Sequence, residues 1–551
     1  MSEQPGSQDP PATPGSSPRR REPSLSPPDY VLNRHGSRVL DPATAVRLPD
    51  QRQIRPTVYV AARLLLRGFD VSGGAVPAAL QRAAKNAGLE ARVYPPDAEL
   101  AAEAKRSGVA ELAARTLVAR VDLVPLSKGP AVPPDAWQVL QNYRADPEVS
   151  AEDAHNLSLD HLTTATADIG GVPLWGGAGI EGVPLWGGAG VDGVPLWGGA
   201  GITGPSRDFG LPGRGARMPV AWQGRKPERH ERQELPSRRP VVAILDTGVG
   251  KHPWLDWPVV WRHPKIGTLP IGLVDLSTDP EITGQVDDPL EGTLDPDAGH
   301  GTFIAGLIHQ KCPDAKIISV RVMHGDGAVA EGDILEALNR LLLRHAAALK
   351  HNDKKGVVDV ISLSLGYYHE QPVDEAFDSL LLTPLEELGK LGVIVVASAG
   401  NDATSRHFYP AGFAPHAESK LPVARDAVPV VSVGARNPDD KSVALFSNQA
   451  DWVVCYRRGA AVVSTMPVTF NGSLQPVARM EIGGQVRSTL DPDDFSCGFG
   501  TWSGTSFSAP VLAGEIAEDL LSQGSLNTLT KSAALDRGWL ALKRVAEMHR
   551  P

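Results

Sequence analysis

Short apolar runs and helical periodicities alternate along residues 240–435: PVVAILD, AKIISVRVM, DILEALNRLLLRHAAALK, VVDVISLSL, FDSLLLTPLEELGKLG, GVIVVASAG and VPVVSVGA. The first, second, fourth and last two are rich in β-branched residues and lack polar alternation, the pattern of strands buried on both faces. The third and fifth repeat their apolar positions at helical spacing. Strands alternating with helices predict βαβ units. The expected fold over 240–551 is therefore α/β, a doubly wound, mostly parallel sheet with helices on both faces.

An earlier stretch has a different texture. TVYVAARLLLRG, LEARVYPP and RTLVARVDLVPL read as strands, and PAALQRAAKNAG and PDAWQVLQNYRAD as helices. They predict a small α+β domain within residues 31–150. Residues 1–30 are rich in Pro and Ser and poor in β-branched and aromatic residues, so the expectation there is a disordered tail.

Residues 151–239 are expected to be a linker. They hold three copies of an 11-residue unit, GVPLWGGAGIE, GVPLWGGAGVD and GVPLWGGAGIT, followed by a Pro-rich stretch with Arg225, Lys226, Arg238 and Arg239. Gly177, Gly179 and Gly182 spell GxGxxG, but a dinucleotide site needs a strand before that string and a helix after it, and neither pattern is present. Two readings stay open: a flexible linker, or evenly spaced Trp175, Trp186 and Trp197 recognised by a partner or by the protein's own cleft. The basic stretch reads as a solvated linker and a candidate cleavage region.

Charge changes the picture little. The net charge of −10 arises from interspersed signs, which argues against a nucleic-acid-binding face. Three cysteines, Cys312, Cys455 and Cys497, form neither a disulfide framework nor a CxxC zinc pair, and they fit a reducing compartment. The first thirty residues carry no apolar run of signal or anchor type, so the expectation is a cytoplasmic protein without a membrane partner.

Candidate chemistry lies in four strings. VVAILDTGV runs a buried strand into Asp246, at the carboxyl end where α/β proteins put functional groups. Asp-Thr-Gly occurs once, which disfavours a single-chain aspartic protease, since that needs a pair of such carboxylates. GHGTFIAGLI sets His300 between two glycines at the start of an apolar helix; a histidine of near-neutral pKa can take and return a proton. GTWSGTSFSAPVLAGEIA puts Ser506 just ahead of a helical run, where the dipole and backbone N–H groups favour an oxyanion. The string is not G-x-S-x-G, so the α/β-hydrolase elbow is absent. In ASAGND, Asn401 is either a turn former or a side-chain amide for an oxyanion.

Together these segments resemble the signature segments of the subtilisin-like serine proteases (subtilases, peptidase family S8), in the order Asp, His, Ser. The resemblance spans about 240–525 and implies a serine endopeptidase working through an acyl-enzyme. In it Ser506 is the nucleophile, His300 the base and acid, Asp246 the orienting carboxylate and Asn401 the oxyanion donor. It also implies that Ser362, Leu363, Ser364, Leu365 and Gly366 pair with an extended substrate. Ala397, Ser398, Ala399 and Gly400 would line a specificity pocket. Protein or peptide substrates follow. No cofactor is required, although calcium is known in the family and an acidic stretch (Asp275, Asp279, Glu281, Asp287, Asp288, Glu291, Asp295, Asp297) and an insertion at 466–496 are expected as surface loops near the cleft. The small N-terminal domain reads either as an inhibitory propeptide or as a partner-binding module. The rival to the whole reading is a catalytically silent scaffold that only holds peptides.

Overall fold

The computed structural model describes residues 23, 25, 27–48, 54–68, 76–94, 98–128, 132–165, 216–371, 380–416 and 424–551. The GVPLWGGAG repeats and nearly all of the Pro-rich tail lie outside the described residues.

In the N-terminal unit, strands β1 (Ser37–Leu40), β2 (Thr57–Arg67), β3 (Leu89–Tyr94), β4 (Val118–Pro125) and β5 (Leu157–Ala165) make an antiparallel sheet. Its order is β5-β2-β4-β3, with β1 beside the start of β2. The helices Ala78–Asn86 and Ala136–Arg144 cover it, and Leu64, Leu80, Val121, Leu123, Trp137 and Leu140 form its core. Asp135 caps the second helix by accepting the N–H groups of Trp137 and Gln138.

The second unit opens with β6 (Met218–Pro219), followed by β7 (Val241–Asp246), β8 (Val260–Arg262) and a short hairpin, β9 (Lys265–Ile266) with β10 (Leu269–Pro270). Then come β11 (Lys316–Arg321), β12 (Ala328–Ala330), β13 (Val360–Leu363), β14 (Leu365–Gly366), β15 (Ile394–Ser398), β16 (Val431–Arg436) and β17 (Cys455–Arg458). Seven of these strands make an all-parallel sheet in the order β17-β16-β15-β13-β7-β11-β8. Side chains alternate between its faces. Along β7, Val241, Ala243 and Leu245 join one core with the helix Glu331–Lys350, while Val242 and Ile244 join the other with the helices His300–Lys311 and Thr505–Ser522. The doubly wound parallel sheet expected from the pattern is the one observed. Finally, β21 (Phe499–Trp502) lies between β18 (Val462–Thr465) and β6 and pairs with both, and β19 (Arg479–Ile482) with β20 (Gln485–Ser488) forms an exposed hairpin inside the 466–496 insertion.

The linker expected over 151–239 needs correction at both ends. Residues 151–165 are a helical turn (Ala151–His155) and β5, an interior strand held by β2 and then β14 along one edge and by β12 on the other. Residues 216–239 lie against the rest of the second unit. Arg238 is buried in a two-pronged ion pair with Asp359 at 2.6 and 2.6 Å, and Arg217 donates to the carbonyls of Asp295 and Ala298. The acidic stretch is corrected too. Glu281, Asp295 and Asp297 are buried: Glu281 accepts threonine hydroxyls and the Gly299 amide, Asp295 accepts the amides of Val286 and Asp287, and Asp297 feels the Arg217 charge.

Candidate active site

Asp246 ends β7, and its Oδ1 accepts the Thr247 N–H at 2.8 Å. The same oxygen meets His300 Nδ1 at 2.7 Å. His300 begins its helix after Gly299, whose φ of +87° favours glycine. Gly301 follows so close to the Gly248 carbonyl that a Cβ would stand 2.0 Å from that oxygen. The two glycines therefore let the helix start lie directly on the β7 turn, which brings the imidazole onto Asp246.

Ser506 lies in the first turn of the helix Thr505–Ser522. Its Oγ donates to the Ser364 carbonyl at 3.4 Å, and Ser364 Oγ donates back to the Ser506 carbonyl at 2.9 Å. The adjacent Phe507 ring packs 5.4 Å from that of His300, and Trp502 stands edge-on to it at 5.7 Å. His300 Nε2 is buried and makes no hydrogen bond. Asn401 Oδ1 accepts both the N–H and the hydroxyl of Thr505, each at 2.9 Å, which fixes the amide with its NH2 as the donating end. Asp246, His300, Asn401 and Ser506 are thus gathered at one place, and all four are buried.

A fifth residue there, Glu281, was read from the sequence as part of a surface loop. Its Oε1 accepts the Thr247 hydroxyl at 2.5 Å and the Gly299 N–H at 3.0 Å, and Thr302 Oγ1 donates to Oε2. Thr247 Oγ1 also lies 3.2 Å from Asp246 Oδ1 and accepts the Gly301 N–H. Glu281 thus braces both the strand turn and the helix start. Burial raises its pKa to about 7. Burial pulls His300 downward, but the Asp246 carboxylate outweighs it and the imidazole is raised above its ordinary value. An acidic residue followed by Ile-Thr-Gly carries no spacing signal that would have found Glu281.

Of the expected substrate-pairing residues, Leu365 and Gly366 do pair with an extended strand, and it is the chain's own β5: Leu365 opposes Ala165 and Gly366 opposes Thr164. On its other side β5 is antiparallel to β12, Thr164 opposing Ala328 and Leu162 opposing Ala330, and Thr163 Oγ1 donates to the Val329 carbonyl. Ser362 and Leu363 are a correction. They belong to β13, whose two edges are taken by β7 and β15, so no ladder remains there for a substrate. Ala397 and Ser398 end β15, Ala399 donates to the Val433 carbonyl, and Gly400 donates to Thr505 Oγ1 at 3.1 Å, beside the Ser506 turn.

Asp295 is spent on the amides of Val286 and Asp287, Asp279 on that of Glu281, and Asp287 and Asp326 on Arg34. Among the described residues, His161, His369 and Glu370 bring metal-type donor atoms within 4.8 Å of one another. These donors are spent as well. Each His161 nitrogen meets a glutamate, and His369 Nδ1 accepts the Gln371 N–H. Among the described residues no helix is long and apolar enough to cross a membrane.

The sequence model of the Subtilase family (Peptidase_S8) matches residues 237–533, more than half of the chain. Serine protease AprX of Bacillus subtilis (strain 168) is 25% identical over 320 residues, covering 53% of this chain and 59% of the relative. The Thermophilic serine proteinase of Bacillus sp. (strain AK1) is 27% identical over 293 residues, covering 53% of this chain and 54% of the relative. The chain thus spans little more than half the length of these curated relatives. Among solved structures, fervidolysin from Fervidobacterium pennivorans, a keratinolytic enzyme related to subtilisin, aligns with a TM-score of 0.42 and 18% identity over 84% of this chain and 55% of that one. With its parallel sheet, and with the residues 237–533 that the family model takes in, this chain belongs to the subtilase family of peptidases.

Proposed function

We propose that this chain is a serine endopeptidase that works through an acyl-enzyme and is held latent by its own N-terminal unit. The observation that carries the reading is the His300–Asp246 contact of 2.7 Å at the head of β7, with the Ser506 turn packed against the same imidazole. Ser506 Oγ attacks the scissile carbonyl as His300 Nε2 takes its proton, and His300 returns that proton to the leaving amine. Asp246 keeps the other ring nitrogen protonated and balances the imidazolium charge. The Asn401 amide and the Ser506 N–H stabilise the developing oxyanion.

Latency accounts for two features together. The Ser506 hydroxyl is turned to the Ser364 carbonyl while His300 Nε2 is unbonded, and catalytic hydrogen bonds often close only once substrate is bound. At the same time β5 fills the space between β12 and β14, where an extended substrate would add as a strand. Ala397 to Gly400, beside the serine turn, are read as a wall of the first specificity pocket.

Hydrolysis of an unfolded protein substrate tests the reading. Ser506→Ala and His300→Ala should each lower kcat by about 10⁶, the magnitude known from removing the same groups in subtilisin. Activity surviving in both variants would refute it.

A further inference from the structure

Two of the strands that flank β5, β12 and β14, each lead into a buried glutamate. Glu331 follows β12 directly, and Glu370 stands four residues beyond β14. The two close on the imidazole of His161 in β5: Nδ1 to Glu331 Oε2 is 2.7 Å and Nε2 to Glu370 Oε2 is 2.9 Å. The ring stacks on Tyr367 at 4.3 Å, and the Tyr367 hydroxyl donates to Glu331 Oε1 at 3.3 Å. All four side chains are buried.

An imidazole that meets a carboxylate at both nitrogens carries both protons and a positive charge. The carboxylates belong to the peptidase unit, whereas the cation is supplied by the strand lying in the groove. Any other extended chain in that position would face the same two desolvated carboxylates, and leaving them without a cation is strongly unfavourable.

We propose that Glu331 and Glu370, with Tyr367 as a floor, form a subsite of the substrate groove that selects a basic side chain four residues before the one opposing Leu365, and that His161 is its internal occupant. This rests on the reading of β5 as a strand in the substrate's place. The predicted preference is for peptides of the form basic-Leu-Thr-Thr-Ala over the same peptides with a neutral residue at the first position.

The test uses the full chain with His161 changed to Lys, Gln or Leu, each alone and combined with Glu331→Gln and Glu370→Gln. Gln keeps hydrogen-bonding reach without charge, which separates charge from packing. Two readouts are taken: hydrogen exchange at the amides of Leu162 to Ala165, and the rate at which a fluorophosphonate labels Ser506. The Gln and Leu variants should exchange about a hundredfold faster than the parent, with Lys close to the parent. In the glutamine pair the residue at 161 should cease to matter. Neutral variants as protected as the parent, or Lys as exposed as Leu, would overturn the subsite. Absence of label in every variant, including those with a released strand, would overturn the catalytic reading instead, while exchange still decides the subsite.

Discussion

At the site, single residues carry distinct duties that substitution can separate. Asn401 touches the proposed oxyanion, and Thr505 holds its amide by the carbonyl end. Asn401→Ala should lower kcat by about 10²–10³, a magnitude borrowed from the equivalent loss in subtilisin, and, because it strands the buried Thr505 N–H, should cost about 1–3 kcal/mol of stability. A comparable rise in KM with kcat intact would instead mark Asn401 as a ground-state contact. Glu281 acts one step further out, through Thr247, Gly299 and Thr302. Glu281→Ala strands those donors and should lower stability by about 3 kcal/mol, read by urea unfolding. Its carboxyl is raised to about 7 by burial, so the folded state favours the neutral form. Its contribution to stability is therefore full below the ordinary carboxylate value of about 4.3 and declines as pH rises toward 7. Glu281→Gln should flatten that part of the profile, and an unchanged slope in a pH series of melting temperatures would contradict the assignment. The triad candidates were legible because each stands in a short string of small residues with a fixed order. Glu281 was not, because its role comes from a fold-back that brings residue 281 onto residues 247 and 302.

Among the elements, β5 shows why pattern reading stopped early. LSLDHLTTA, with Asp160 and His161, borders a Gly-Pro repeat and falls within the stretch read as a linker on account of that repeat. The structure buries both because partners come from afar. Asp160 receives the Gly332 N–H and pairs with Arg63, and His161 lies between Glu331 and Glu370. Burial draws His161 down, but its two glutamate bonds raise it to about 10. Around it also stand His369, 5.1 Å away ring to ring and pulled down to about 3 by burial, so that it is neutral, and Arg144 and Arg406, which bear on His369, Arg144 bearing on Glu370 as well. Since the docked pKa exceeds the ordinary 6.5, docking is at full strength below that pH and weakens as pH rises through 10. The rate of Ser506 labelling in the parent, taken relative to the His161→Lys variant at the same pH, should be flat near pH 6 and climb toward pH 10. A ratio that rises on acidification would reverse the sign and contradict the account. The helix and strand periods elsewhere needed no such distant partner: β7, β11, β13 and β15 each place apolar side chains in both cores and sit with β16 in one parallel sheet.

Across the whole molecule, the two units share one sheet, because β5 belongs to the N-terminal sheet through β2 and reaches the peptidase unit through β12 and β14. Within the second unit, the stretch that begins at residue 216 is fastened by β6 on β21 and by Arg238 on Asp359, which also accepts the Val241 N–H. Removing one member of so buried a pair leaves an uncompensated charge. Arg238→Ala should therefore cost about 3–5 kcal/mol by urea unfolding, and a loss below about 1 kcal/mol would show the strap to be a surface feature. Composition hid this attachment, since a Pro-rich stretch dense in arginine has the texture of a solvated linker until Asp359 is seen beneath it. The central claim, a triad on Ser506 kept latent by the chain's own strand, is tested most directly by fluorophosphonate labelling of the full-length protein and its Ser506→Ala variant, read by intact mass. The account predicts one label on the parent alone, slow while β5 is attached and faster in any fraction that has lost the N-terminal mass. Equal labelling of parent and Ser506→Ala, or none on a folded parent freed of its N-terminal unit, would contradict it.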